Sequence, residues 1–370
     1  MANRGSPMSI TEQHKTGAIQ APARTKTTTR ADWIDIARGL AELSVVTFHI
    51  LQAMTNAGLT PDGVFDFWTP VGDMIRMPLM MLLAGLFLER SMAKGSGPFF
   101  SGKTRRVLWP FLVWAHIYAL YWFLKPSAFD NRTLADLLAT AINPGSHLWF
   151  LQALFIYYVA AWFVIRERLV LAYWVAAILV ITIPLTQTWI EPRLPYLFLF
   201  FLLGVQIARL IATRGFPISR WAGLVLIVAG VALPILTDSY LGPSKYSPLA
   251  VPASLAGVLA ALVIARGLVL VPLVREAFVF LGRYSLEIYC AHVIFSSGTR
   301  QVLLGVFGIT DFWTLFLACS LAGLVLPVGL ALGLRWLGID ILFSWPEDTV
   351  RLRTLLAGLR RRLLASQPET

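Results

Sequence analysis

The chain has 370 residues, of which 57% are hydrophobic and only 14% charged, against about 25% charged in ordinary soluble domains. That composition excludes a soluble globular protein, and apolar blocks near the ~20 residues needed to cross hydrocarbon point to an all-α integral membrane protein. The net charge of +11 then reads as Lys and Arg retained on the cytoplasmic side rather than as a nucleic-acid surface.

In chain order, residues 1–31 are polar, Thr-rich and basic, with no apolar core or cleavage signature. They read as a disordered cytoplasmic tail. Ten spans are expected near 34–54, 70–88, 107–124, 147–165, 169–187, 194–210, 218–236, 249–269, 285–303 and 313–334. With the N-terminus inside, 24 of the 31 Lys and Arg fall on the cytoplasmic side and 5 on the other, while Arg38 and Arg76 lie within spans. This asymmetry puts both termini in the cytoplasm. The membrane domain is taken as 32–338. The external loop 125–146 has room for a short surface helix, and 339–370 forms a basic cytoplasmic tail. Within that tail, 347–365 reads either as an amphipathic helix on the inner leaflet or as a solvated segment. No 20–50-residue repeat and no inverted pair of broken spans is visible.

Ionisable groups inside spans are costly and mark functional candidates. The first span carries Asp35, Arg38, Glu42 and His49, which at ~100° per residue fall within an arc of about 60°. Such a stripe must face a polar interior, and it rises from the cytoplasmic end past mid-membrane. Buried ion pairing is an equal reading for Asp35; His49, without an obvious ion-pair partner, is the stronger chemical candidate. Asp73 and Arg76 are spaced to pair with each other. Lys103, Arg105 and Arg106 cluster at the cytoplasmic mouth, where they suit phosphate or serve as orientation anchors. His147 opens His-Leu-Trp149-Phe-Leu at the outer interface, and His116 sits among aromatics as a core residue. Arg283 and Glu287 are spaced to pair, leaving His292 as a second mid-membrane candidate. Cys290 and Cys319 form no metal or disulfide pattern, no metal site is expected, and no Walker loop, His-Glu-x-x-His or Gly-x-Ser-x-Gly appears.

These motifs together resemble the acyltransferase 3 family of bacterial integral-membrane O-acyltransferases. The resemblance covers about 34–334. It rests on Asp35-Ile-Ala-Arg38-Gly…His49, Met77-Pro78-Leu-Met-Met-Leu-Leu-Ala84-Gly85, Lys103-Thr-Arg105-Arg106, Leu148-Trp149-Phe150-Leu151 and Gly282-Arg-Tyr-Ser285-Leu…His292, in that order. Arg76 stands where the family often has His, Ala84 where it often has Ser, and Lys103 where its Arg-x-x-Arg begins. The resemblance implies an acyl-CoA donor, most commonly acetyl-CoA, and a hydroxyl acceptor on a polysaccharide or lipid-linked oligosaccharide. It further implies a multi-pass protein of the bacterial inner membrane, in contact with membrane lipid. Donor binding then falls to Arg38, Arg76, Lys103, Arg105 and Arg106, and acceptor binding to His147, Trp149, Ser285 and His292. His49 is expected to be base or acyl carrier, with Glu42 or Asp35 orienting it. A proton-coupled transporter is the alternative, which would call for inverted repeats and broken helices.

Overall fold

The computed structural model describes residues 29–123, 139, 147–186, 191–215, 218–242 and 246–345, and among these there are helices and no strands. The N-terminal tail to residue 28, nearly all of the 125–146 loop and the 347–365 segment lie outside the described residues. Helix α1 (Thr29–Thr55) carries the ionisable stripe. It is followed by α2 (Val64–Gly85), the short α3 (Leu88–Met92) and α4 (Ser96–Lys103). A π-helical turn, Thr104–Leu108, leads into α5 (Trp109–Phe123). Then come α6 (Trp149–Thr186), α7 (Arg193–Arg214), α8 (Arg220–Leu241) and α9 (Val251–Leu268). The last three are α10 (Pro272–Arg283), α11 (Ser285–Gly305) and α12 (Phe312–Trp336).

Five helices are long and apolar enough to cross a membrane, six if α10 and α11 count as one bent span. The chain is therefore a multi-pass, all-helical membrane protein among the described residues. Helix α1 is not one of the five, because its own charged and polar side chains lower its mean hydropathy. It is nevertheless the hub, packing on α2, α9, α10, α11 and α12, so its polar stripe faces protein rather than lipid.

The approach of α10 to α1 is set by two glycines. A Cβ at Gly39 would lie 2.4 Å from the Phe278 carbonyl oxygen, and one at Gly282 only 1.9 Å from that of Asp35. Immediately afterwards the chain turns by 82° between α10 and α11, at Tyr284 with φ −100° and ψ 17°, where α-helical hydrogen bonding cannot continue smoothly. This is a broken helix that hydropathy does not reveal. The turn also separates Arg283 from Glu287, which do not pair as their spacing suggests. Arg283 instead lies 3.7 Å from Asp35, and Glu287 bonds Arg335 of α12.

Two further departures concern boundaries. Residues 149–186 form one helix where two spans and a loop at 166–168 are expected; Arg166-Glu167-Arg168 contains no Gly or Pro to stop it. A straight helix of that length would extend about 57 Å, yet Thr186 must reach Arg193 across six residues, at most about 25 Å. Because Arg193 sits over the Trp149 ring at 4.4 Å, α6 must be strongly bent. Second, residues 339–345 are docked rather than free. The Trp109 indole donates to the Ile341 carbonyl at 2.7 Å, and that of Trp114 to Leu342 at 2.9 Å. The Trp345 amide donates to the Arg105 carbonyl at 3.2 Å.

Candidate active site

Helix α1 carries His49 in its C-terminal half, where two chain-distant histidines join it. His147 arrives on the turn before α6, and His292 on α11 eight residues past Tyr284 at the bend. The ring centroids are 5.5 Å apart for His49 and His147, 5.3 Å for His49 and His292, and 4.8 Å for His147 and His292. His147 Nε2 donates to the Tyr289 carbonyl at 2.9 Å, and the Tyr289 hydroxyl donates back to the His147 carbonyl. The two residues are thus locked together. Tyr118 of α5 braces the cluster, its ring 5.0 Å from that of His147 and its hydroxyl donating to the Cys290 carbonyl at 3.0 Å. His49 itself hydrogen-bonds the Gln52 side chain one turn on. Among the described residues, no group of three or more His, Cys, Asp or Glu is arranged to hold a metal ion.

His49 stands in the partition between two cavities. The larger, about 590 Å³, is lined by His49 and His147 with Arg76, Trp149, Arg193 and Tyr246 among others. The smaller, about 300 Å³, meets His49 from the other side and includes Gln52, Asn56, Trp122 and Arg300. An imidazole reachable from both sides can meet two reactants at once, which is the requirement for group transfer.

The basic mouth lies at the other end of α1. Arg38 is 3.5 Å from Asp35 and 5.2 Å from the Phe87 ring, within electrostatic reach of Tyr158. The Lys103 amine sits 3.6 Å above the Tyr158 ring, so α1 and α4 present their cations to the same aromatic wall of α6. Burial pushes the Lys103 amine down to about 8, with Lys94 and Arg106 adding repulsion. Lys103, Arg105 and Arg106 fall at or within the π turn, a departure from α geometry common at functional positions. A neighbouring cavity of about 560 Å³ is lined by Trp162, Glu89 and Arg209, the last two paired.

Several expected site residues sit elsewhere. Arg76 bonds Asp73 as its spacing suggests, but its guanidinium lies 3.5 Å over Phe48 in the histidine cavity, not at the basic mouth. Asp35 pairs with Arg38 within α1 and with Arg283 of α10, and the second contact ties the two helices. Glu42 is fully buried (0% exposed), about 10 Å along the helix from His49, and neither carboxylate oxygen has a hydrogen-bond partner among the described residues. Neither acid lines a histidine cavity, and neither does Ser285, which opens α11 at the bend. His116 is exposed, bonding Leu112 of its own helix, because that face of α5 points outward. Tyr289, Gln52, Arg193 and Tyr246 were not anticipated. Tyr289 and Gln52 were within reach of sequence reasoning, each being three residues from a candidate histidine on one helix face.

The acyltransferase domain family matches residues 31–332. The chain belongs to the acyltransferase 3 family. No curated protein and no solved structure matches it. For this acyltransferase the matched segment starts within the first turn of α1 and ends in α12, so the histidine cluster, both cavities and the basic mouth all fall inside it.

Proposed function

We propose that this acyltransferase moves an acyl group, most simply acetyl, from cytoplasmic acyl-CoA to a hydroxyl of an extracellular or lipid-linked polysaccharide at the bacterial inner membrane. The observation that carries the reading is that one helix joins two environments: its cytoplasmic end offers Arg38, which shares the Tyr158 ring with Lys103, and its outer half offers His49 between two cavities. CoA is anionic at its phosphates, which suits the Lys103, Arg105, Arg106 and Arg38 cations through charge-assisted contacts. The Trp162 cavity offers an aromatic wall beside them for a nucleoside. In the outer half, Trp149, Tyr246, Arg193 and Glu191 combine flat apolar faces with polar groups, as sugar recognition requires.

His49 takes the proton of the acceptor hydroxyl as its oxygen forms the new bond to the acyl carbon. The carbon–sulfur bond breaks, and the proton ends on the departing CoA sulfur. Passage of the acyl group by way of His49 itself is compatible with the same geometry. Arg76, held by Asp73 and facing His49, is placed to stabilise negative charge that builds on the carbonyl oxygen. Ten traverses with both termini cytoplasmic are supported by the 24 to 5 charge distribution. They are supported too by the return of the chain from Trp149 to Arg193 at one end of the bundle.

The test is CoA release by protein in nanodiscs, given acetyl-CoA and surface glycan from a strain lacking the protein. His49→Gln keeps hydrogen bonding but cannot accept a proton near neutrality. Activity should fall by about 10²–10⁴ at normal yield. Full turnover by a well-folded His49→Gln protein overturns the mechanism.

A further inference from the structure

Of the three imidazoles, His292 is the one no substrate reaches. It is 0% exposed and lines neither cavity beside His49. Its Nδ1 lies 3.0 Å from the Tyr289 carbonyl oxygen and 3.1 Å from that of Ile288. A carbonyl oxygen only accepts, so Nδ1 carries the hydrogen and Nε2 is left as a bare lone pair. That Nε2 is enclosed and has no hydrogen-bond partner among the described residues. A buried acceptor in that state is costly, and the cost is accounted for if a donor arrives during the reaction.

His147 cannot be the donor. Its Nε2 gives its hydrogen to the Tyr289 carbonyl at 2.9 Å, so its Nδ1 is also a lone pair, and two lone pairs do not bond. His49 is the remaining imidazole; among the described residues no main-chain carbonyl holds its N–H, and its hydrogen bond to the Gln52 side chain is exchanged for one to His292 as the ring turns. Its centroid lies 5.3 Å from that of His292, with the planes inclined at 35°. A ring nitrogen sits about 1 Å from its centroid, so this separation closes to a hydrogen bond of roughly 3 Å once the two nitrogens face each other.

We propose that His292 is a positioning residue for His49: its Nε2 accepts the His49 N–H when the acceptor hydroxyl enters, leaving the other His49 nitrogen bare and aimed at that hydroxyl. This rests on the reading of His49 as the reacting imidazole. When His49 takes the hydroxyl proton it becomes a cation, and its hydrogen bond to His292 becomes charge-assisted and stronger. The contact therefore favours the transition state over the bound substrates, which raises kcat rather than lowering KM. His292 keeps its own hydrogen throughout, and the proton on His49 goes on to the CoA sulfur.

Two variants separate this from a packing role. His292→Gln puts an oxygen acceptor near the place of Nε2, whereas His292→Leu fills the space with none. In the nanodisc assay with acetyl-CoA and glycan from the deletion strain, His292→Leu should lose about thirtyfold in kcat, the size of one charge-assisted hydrogen bond. KM for both substrates should hold. His292→Gln should stay within about fivefold of the wild type, since an acceptor is restored. A second readout does not depend on turnover. In ¹⁵N-histidine solid-state spectra with glycan present, wild-type His49 should show one neutral tautomer and His292→Leu a mixture. Equal kcat in the two variants, or an unchanged His49 spectrum in His292→Leu, overturns the proposal. If the wild type releases no CoA, the acyltransfer reading fails by itself, and the spectra still decide the contact between the two rings.

Discussion

Raising the pH from 7 to 9 should weaken donor binding and stabilise the ligand-free protein, both through Lys103. Burial, with Lys94 and Arg106 nearby, pushes this amine down to about 8 from its usual 10.5. About nine in ten Lys103 amines are then charged at pH 7 and about one in ten at pH 9. If phosphate is held by the charged form, affinity for CoA falls about tenfold, or ~1.4 kcal/mol, over that range. This fits within the ~1.5–3 kcal/mol of one charge-assisted contact. Stability runs the other way. Between about 8 and 10.5 the unfolded chain binds more protons at this position than the folded one, so stability rises with pH. Between pH 7 and 9 the gain is bounded by ~1.3 kcal/mol, less whatever solvent screening removes. CoA titrations in detergent at pH 7, 8 and 9, paired with thermal melts, read both trends. Lys103→Arg should flatten the affinity curve, because Arg keeps its charge, and Lys103→Gln should be weak at every pH. A wild-type curve parallel to that of Lys103→Arg would refute the argument.

Gly282→Ala would place a Cβ 1.9 Å from the Asp35 carbonyl oxygen, so α1 and α10 must separate; a loss of about 1–3 kcal/mol should appear as a lower melting temperature. Arg335→Ala strands the buried Glu287 carboxylate, at ~3 kcal/mol, and adding Glu287→Gln should recover most of it; additive losses would argue that the pair is not coupled. Reporter fusions after residues 60 and 245 should report the outer side, and fusions after 95 and at the C-terminus the cytoplasm. A periplasmic C-terminus would sink the ten-traverse reading.

Helical periodicity made α1 legible in advance, since four ionisable groups on one face of an apolar helix have a single physical outlet, the protein interior. The last span, expected near 313–334, agrees closely with α12 at Phe312–Trp336, whereas the one expected to end at 236 runs on to Leu241. What could not be read locally was convergence. His147 and His292 lie nearly 150 residues apart, and only the packing of α11 against α1 and α5 brings them to His49. The start of α11 at Ser285 was legible, as a span expected from 285, but the helix Pro272–Arg283 ahead of it was not, because its short polar run reads as a loop. The bend between the two decides which partners Arg283 and Glu287 find. Motif membership alone placed Ser285 in the site, whereas the helix it opens carries it about 10 Å from His292.

The docking of Ile341–Trp345 has a consequence for the order in which the protein is made. Arg38 and Lys103 emerge from the ribosome early, but the Arg105 carbonyl and the Trp109 and Trp114 indoles find their partners in a segment translated more than 200 residues later. The basic mouth is therefore completed by a segment synthesised more than 200 residues after it. A nascent chain halted before residue 341 would already hold His49, His147 and His292, while the turn bearing its basic cluster remained untied.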